Sequence, residues 1–104
     1  MRSRLVLAVC WLAGLPLAAA AQAPTAQQAR DWAASCAICH GTNGYTVGGG
    51  MPVLAGQSRE TLTRHLRDFR DGRRPATIMH QIAKGYTDEQ IEAIAGFFAA
   101  QRLP

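Results

Sequence analysis

Residues 36–40 read Cys-Ala-Ile-Cys-His, and a glycine-rich stretch, GTNGYTVGGGMPVLAGQ, follows at 41–57. Two cysteines three residues apart share one helical turn, so each can form a thioether to one of the two vinyl groups of a haem. The next residue, His40, then lies against the iron and offers an imidazole nitrogen. Other uses of the motif meet obstacles. A thioredoxin-like dithiol needs a βαβ setting, and no β-rich run occurs. A zinc site wants four ligands, whereas Cys36, Cys39 and His40 give three with no second cysteine pair. A Cys36–Cys39 disulfide closes too small a loop to staple a fold. Covalent haem attachment is the reading that remains best.

Working outward, the periodicity is helical throughout. Residues 26–38 place Ala29, Trp32, Ala33 and Cys36 at i, i+3, i+4 and i+7, which predicts a helix running into the motif. Residues 41–57 carry six glycines and a proline and predict a long irregular loop. Ser58 caps a third segment that buries Leu62, Leu66 and Phe69 and stops at Gly72. Pro75 opens a short helix with Ile78, Met79 and Ile82 on its apolar face, closed by Gly85. Thr87 and Gln90 form a capping box for a last helix with Ile91, Ile94, Ala95 and Phe98 inward. The fold class is all-α. Its faces are short and alanine-rich, so a flat apolar cofactor at the centre would complete a core that a small domain cannot build alone.

The first 23 residues stand apart. Arg2 and Arg4 precede an apolar run from Leu5 to Ala21, broken by Gly14 and Pro16 and ending in Ala21-Gln22-Ala23. That order predicts a cleavable signal peptide over residues 1–23 and a monohaem domain over 24–104, exported to the periplasm. The run is shorter than the ~20 apolar residues of a spanning helix, so no membrane insertion of the mature chain is expected. Cleavage removes Cys10 and two of the eleven basic residues but none of the seven acidic ones, and the net charge falls from +4 to +2. The basic balance is therefore no argument for nucleic-acid binding.

An iron held by His40 needs a sixth ligand, or keeps an open position for chemistry. Met51, Met79, His65 and His80 are the candidates. Met79 fits best, because its short helix lets a thioether reach the iron without burying a second charge-capable group; otherwise it is core packing. His80 lies about 100° further round the same helix and cannot share its aim. His65 sits at the edge of the apolar face of its helix.

The order CAICHG, MPVLAGQ, FRDGRRPATIM, IAKGYTDEQIEAIAGFFA resembles class I c-type cytochromes over nearly the whole mature chain. It is most similar to the cytochrome c4 and c553 group and to the haem subunit of flavocytochrome c sulfide dehydrogenases. The resemblance implies one covalent haem c on Cys36 and Cys39, with His40 and Met79 as axial iron ligands. It also implies that the Pro52 carbonyl accepts the His40 Nδ1–H, which puts Met51 on the His40 side, with Leu54 packed on the haem nearby. The first and last helices would cross near Ala29, Ala33 and Gly96.

With both axial positions filled by protein, such a site transfers electrons and excludes substrates. An electron-transfer protein is expected rather than an enzyme, working with redox protein partners. A sulfide-oxidising flavoprotein is the partner that the resemblance implies, and a free shuttle to a terminal oxidase is the rival. A small haem enzyme or gas binder with an open sixth position is the other class. Residues 58–74 carry net +3 and residues 85–104 net −2. The basic segment is read as a solvated face with Glu60–Arg64 and Arg67–Asp71 pairs, in preference to a docking face for an acidic partner.

Overall fold

A computed structural model describes residues 19–102. The basic start, most of the apolar run and Cys10 of the expected signal peptide lie outside the described residues, while residues 21–23 are exposed and belong to no helix. Five helices follow: α1 Ala26–Ala34, α2 Ala37–His40, α3 Arg59–Arg70, α4 Met79–Ala83 and α5 Asp88–Ala99, with a 3-10 turn at Thr42–Gly44. No strand occurs among the described residues, in agreement with the all-α expectation. None of their helices is long and apolar enough to cross a membrane.

The helix starts follow their caps. Ser58 Oγ accepts the Thr61 N–H at 3.1 Å. Thr87 and Gln90 bond reciprocally, at 3.2 and 3.0 Å. Thr25 and Gln28 form a second capping box before α1, at 3.1 and 2.8 Å, which the same T-x-x-Q spacing could have revealed. Helix α3 ends in a Schellman turn: Gly72, at φ +75°, donates to the Phe69 carbonyl, and Arg73 donates to that of Asp68 at 2.8 Å.

Two boundaries differ from the sequence reading. The helix expected over 26–38 breaks at Ser35–Cys36, where the Ser35 hydroxyl bonds the Trp32 carbonyl and Cys36 bonds back only three residues, to Ala33. Such side-chain competition ends α1 and lets α2 start afresh. Pro75 does not open α4, which begins at Met79. The ring of Pro75 disfavours helix at Arg74, and residues 73–78 form an irregular strap instead. Ile78 is accordingly 56% exposed rather than part of a buried face.

Helix α5 is the centre of the packing. It lies against both α1 and α3, and α3 carries α4 on another side. Ala33, Leu62, Ile94, Ala95 and Phe98 form the core cluster, with Trp32, Leu54 and Leu66 packed around it. Gly96 is not at the α1 crossing: a Cβ there would meet only the Arg59 side chain, at 3.9 Å. The small residues of that cluster are Ala33 and Ala95. The ion pairs also differ from expectation. Arg67 reaches Glu92 at 2.8 Å and Asp88 at 3.4 Å, and Arg70 reaches Asp88 at 2.7 Å. Neither Glu60–Arg64 nor Arg67–Asp71 forms. The basic α3 and the acidic α5 are thus complementary faces within one molecule, because acids on the neighbouring helix are nearer to these guanidinium groups than those along their own.

Candidate haem site

The break at Ser35–Cys36 sets the site. Ser35 accepts the Tyr86 hydroxyl at 2.7 Å, tying the end of α1 to the segment before α5. From this anchor α2 presents both thiols, which are free. Cys36 is partly buried, and burial pushes its thiol pKa up, while Cys39 is exposed. No three His, Cys, Asp or Glu side chains converge among the described residues, so the zinc alternative has no geometry to support it.

His40 is the one buried polar or charged residue among the described residues, 8% exposed. Its Nδ1 lies 2.8 Å from the Pro52 carbonyl oxygen. A carbonyl only accepts, so Nδ1 carries the proton and Nε2 keeps the lone pair. Nε2 has no hydrogen-bond partner among the described residues and is not sealed from the surface. This is an imidazole prepared to donate electrons outward. The loop reaches Pro52 by two glycine turns. Gly41 has φ +79° and Gly44 φ +81°; a Cβ on Gly44 would come within 2.8 Å of Phe98 and 2.9 Å of the Ala55 nitrogen. The Gly44 carbonyl in turn accepts from Leu54 and Ala55 at 3.0 and 3.2 Å. Thr46, which the sequence reading passed over, places its hydroxyl 3.3 Å from the Pro52 carbonyl and 3.4 Å from that of His40. Nothing in the sequence marked it, since its partners are backbone oxygens.

The candidate sixth ligands fall in different places. Met79 is partly buried and is the first residue of α4. Met51 is exposed beside Pro52. His65 stands on α3, where desolvation and the charges of Arg74 and Arg64 push its pKa down. His80 Nε2 is engaged by the Arg74 carbonyl. Helix α2 packs on α1 and the 3-10 turn, whereas α4 packs on α3, so His40 and Met79 belong to separate walls of the fold.

The residues fit a haem by donor chemistry and by surface. Two free thiols and a lone-pair imidazole occupy one turn. The exposed large hydrophobics among the described residues are Ile38, Val47, Met51, Val53 and Ile78. All lie within the motif, on the loop after it or beside Met79, where an apolar macrocycle would cover such groups. An all-α fold with this turn on its surface defines a c-type haem protein.

The comparisons agree. Residues 23–98 match the family model described as cytochrome C oxidase, cbb3-type, subunit III. The chain belongs to that family of cytochrome c domains, and its cofactor is haem c. The cytochrome subunit of sulfide dehydrogenase from Chlorobaculum tepidum is 45% identical over 64 residues, covering 62% of this chain and 57% of that protein. Cytochrome c4 of Pseudomonas aeruginosa is 36% identical over 87 residues, covering 84% and 42%. Cytochrome c-554(548) of Halomonas halodenitrificans is 36% identical over 74 residues, covering 68% and 89%. The chain spans about half the length of the first two relatives.

Proposed function

We propose that the chain is a periplasmic one-electron carrier, cleaved after Ala23, whose haem is joined to Cys36 and Cys39 and whose iron is held by His40 and Met79. The observation that carries this reading is the His40 ring: buried, bonded through Nδ1 to the Pro52 carbonyl, and left with its Nε2 lone pair free, in a segment that also carries the two free thiols of Cys36 and Cys39. The Pro52 bond holds the imidazole plane and raises its basicity toward a metal. Bound there, haem supplies an iron that cycles between two oxidation states. A thioether from Met79 favours the reduced state relative to a second imidazole, and filling both axial positions excludes substrate chemistry.

Two tests bear on this. Intact mass of protein from the periplasm of cells with working cytochrome maturation should equal residues 24–104 plus one haem that survives acid-acetone extraction. An unmodified mass would refute covalent attachment. The ferric protein should also show the weak near-infrared sulfur-to-iron charge-transfer band, absent in Met79→Ala, whose reduced iron should bind carbon monoxide. A wild type that is already high-spin and quick to bind carbon monoxide would favour an open-site enzyme or gas binder.

The electron donor is the flavoprotein that the sequence resemblance implies; the name of the Chlorobaculum relative, a cytochrome subunit of sulfide dehydrogenase, supports the link to sulfide oxidation. The family description favours a second reading, in which the carrier delivers electrons to a terminal oxidase. Pull-down from periplasm separates them: co-purifying flavin supports the first, and its absence together with recovery of oxidase subunits supports the second.

A further inference from the structure

The strap between α3 and Met79 has few backbone anchors of its own. Arg73 and Arg74 donate to the Asp68 carbonyl, at 2.8 and 3.2 Å. From Pro75 to Ile78 no N–H donates to a partner among the described residues, and Pro75 has none to give. The Ile78 carbonyl at the strap's end accepts from Gln81 and Ile82 of α4, at 2.9 and 3.2 Å, and the side chain that ties the earlier part of the strap to α4 is His80. Its Nε2 faces the Arg74 carbonyl, which only accepts, so the ring nitrogen donates. The Arg74 guanidinium carbon lies 5.2 Å from the centre of the Phe69 ring, and that ring is 6.3 Å from the His80 ring at 58°. Phe69 on α3, Arg74 on the strap and His80 on α4 thus form one cluster that links the end of α3, the strap and the first turn of α4, next to Met79.

The geometry points to His80 as the positioning residue for Met79: through the Arg74 carbonyl it pins the start of α4 to the end of α3. This rests on the reading of Met79 as an iron ligand. A methionine held this way leaves the iron only when the clasp opens. The apparent affinity of an external ligand then scales with the open fraction. Removing one hydrogen bond raises that fraction by about five- to tenfold.

The test uses the haem-loaded ferric protein, titrated with imidazole while the sulfur-to-iron band is followed. His80→Ala should keep the band without imidazole, yet lose it at about five- to tenfold lower imidazole concentration. His80→Gln, which keeps an N–H donor, should recover most of the wild-type resistance. Amide exchange across Met79–Ala83 should quicken in His80→Ala by a similar factor. Unchanged imidazole affinity and exchange in His80→Ala, with the band present, would overturn the positioning role and leave Met79 as ligand. A wild-type spectrum matching that of Met79→Ala would instead remove the ligand reading, and the proposal with it. If His80→Ala does not accumulate, Phe69→Leu takes its place. Loss of the ring between Arg74 and His80 should shift the imidazole midpoint in the same direction, and no shift would overturn the clasp.

Discussion

His40 gives one ring nitrogen to the chain, through the Pro52 carbonyl, and leaves the other without a hydrogen-bond partner among the described residues. Because the Pro52 carbonyl holds Nδ1, Met51 is tied by one peptide bond to the His40 side. Under the proposed ligation, Met51→Leu should leave the near-infrared band and the potential nearly unchanged. Met79→His should keep a six-coordinate low-spin iron but lower the potential, since imidazole lacks the thioether's preference for ferrous iron. Spectra and redox titration of these variants, Met79→Leu and wild type decide, and a band lost in Met51→Leu but kept in Met79→Leu would reverse the assignment. Gly44 allows a second prediction. An alanine there meets left-handed strain of about 1–3 kcal/mol, and its methyl also collides with Phe98 and the Ala55 nitrogen. Gly44→Ala should lower the unfolding free energy by at least that much, read from urea titrations followed by Trp32 fluorescence. The motif residues were legible in the sequence because their chemistry depends on local spacing. Gly44 was legible only as a loop glycine, since its neighbours Phe98 and Ala55 are brought together by tertiary folding.

At the scale of elements, the α3–α5 contact joins an apolar seam to a row of ion pairs. Asp88 opens α5 beside the Arg70 guanidinium, whose hydrogen bond, aided by the charges of Arg70 and Arg67, holds the carboxyl below the usual carboxylate range. Its position in the first turn is also favoured by the helix dipole. A depressed folded-state pKa means stability present above the unfolded carboxylate value and lost as pH falls through that range toward the folded one. Asp88→Asn should therefore be less stable than wild type at neutral pH and converge with it in acid. The gap should also shrink in high salt, because the pair is exposed. Urea midpoints across pH measure this. The two caps at Ser58 and Thr87 were legible because capping is a short-range code. The partners of the α3 arginines were not, since i,i+4 spacing is visible in sequence and an acid on another helix is not. Pro75 misled for a related reason: it is compatible with a helix start, but the Schellman turn at Gly72 and the clasp on Arg74 hold residues 73–78 in another conformation.

For the whole molecule, α5 unites the fold. Ile91, Ile94, Ala95 and Phe98 are buried along it, and Phe98 touches the loop that carries Pro52. Phe98→Ala should cost about 3–5 kcal/mol. That is a large share of the ~5–15 kcal/mol that holds a domain folded. A clear fall in melting temperature should follow, with a weaker near-infrared band in what remains folded if the loop loosens with the core. The all-α class was legible from periodicity, and the need for a central cofactor from the thinness of the apolar faces. The order of packing was not legible, because faces that show an inside and an outside do not name their neighbours. That order has a consequence in time. A chain made from its N-terminus delivers Cys36 and Cys39 before α5. Until α5 arrives, α1 and α3 lack their common support, and the loop that steadies His40 lacks Phe98. Before α5 packs, both thiols stand on a segment that the core does not yet hold, and the docking of α5 completes the packing behind it.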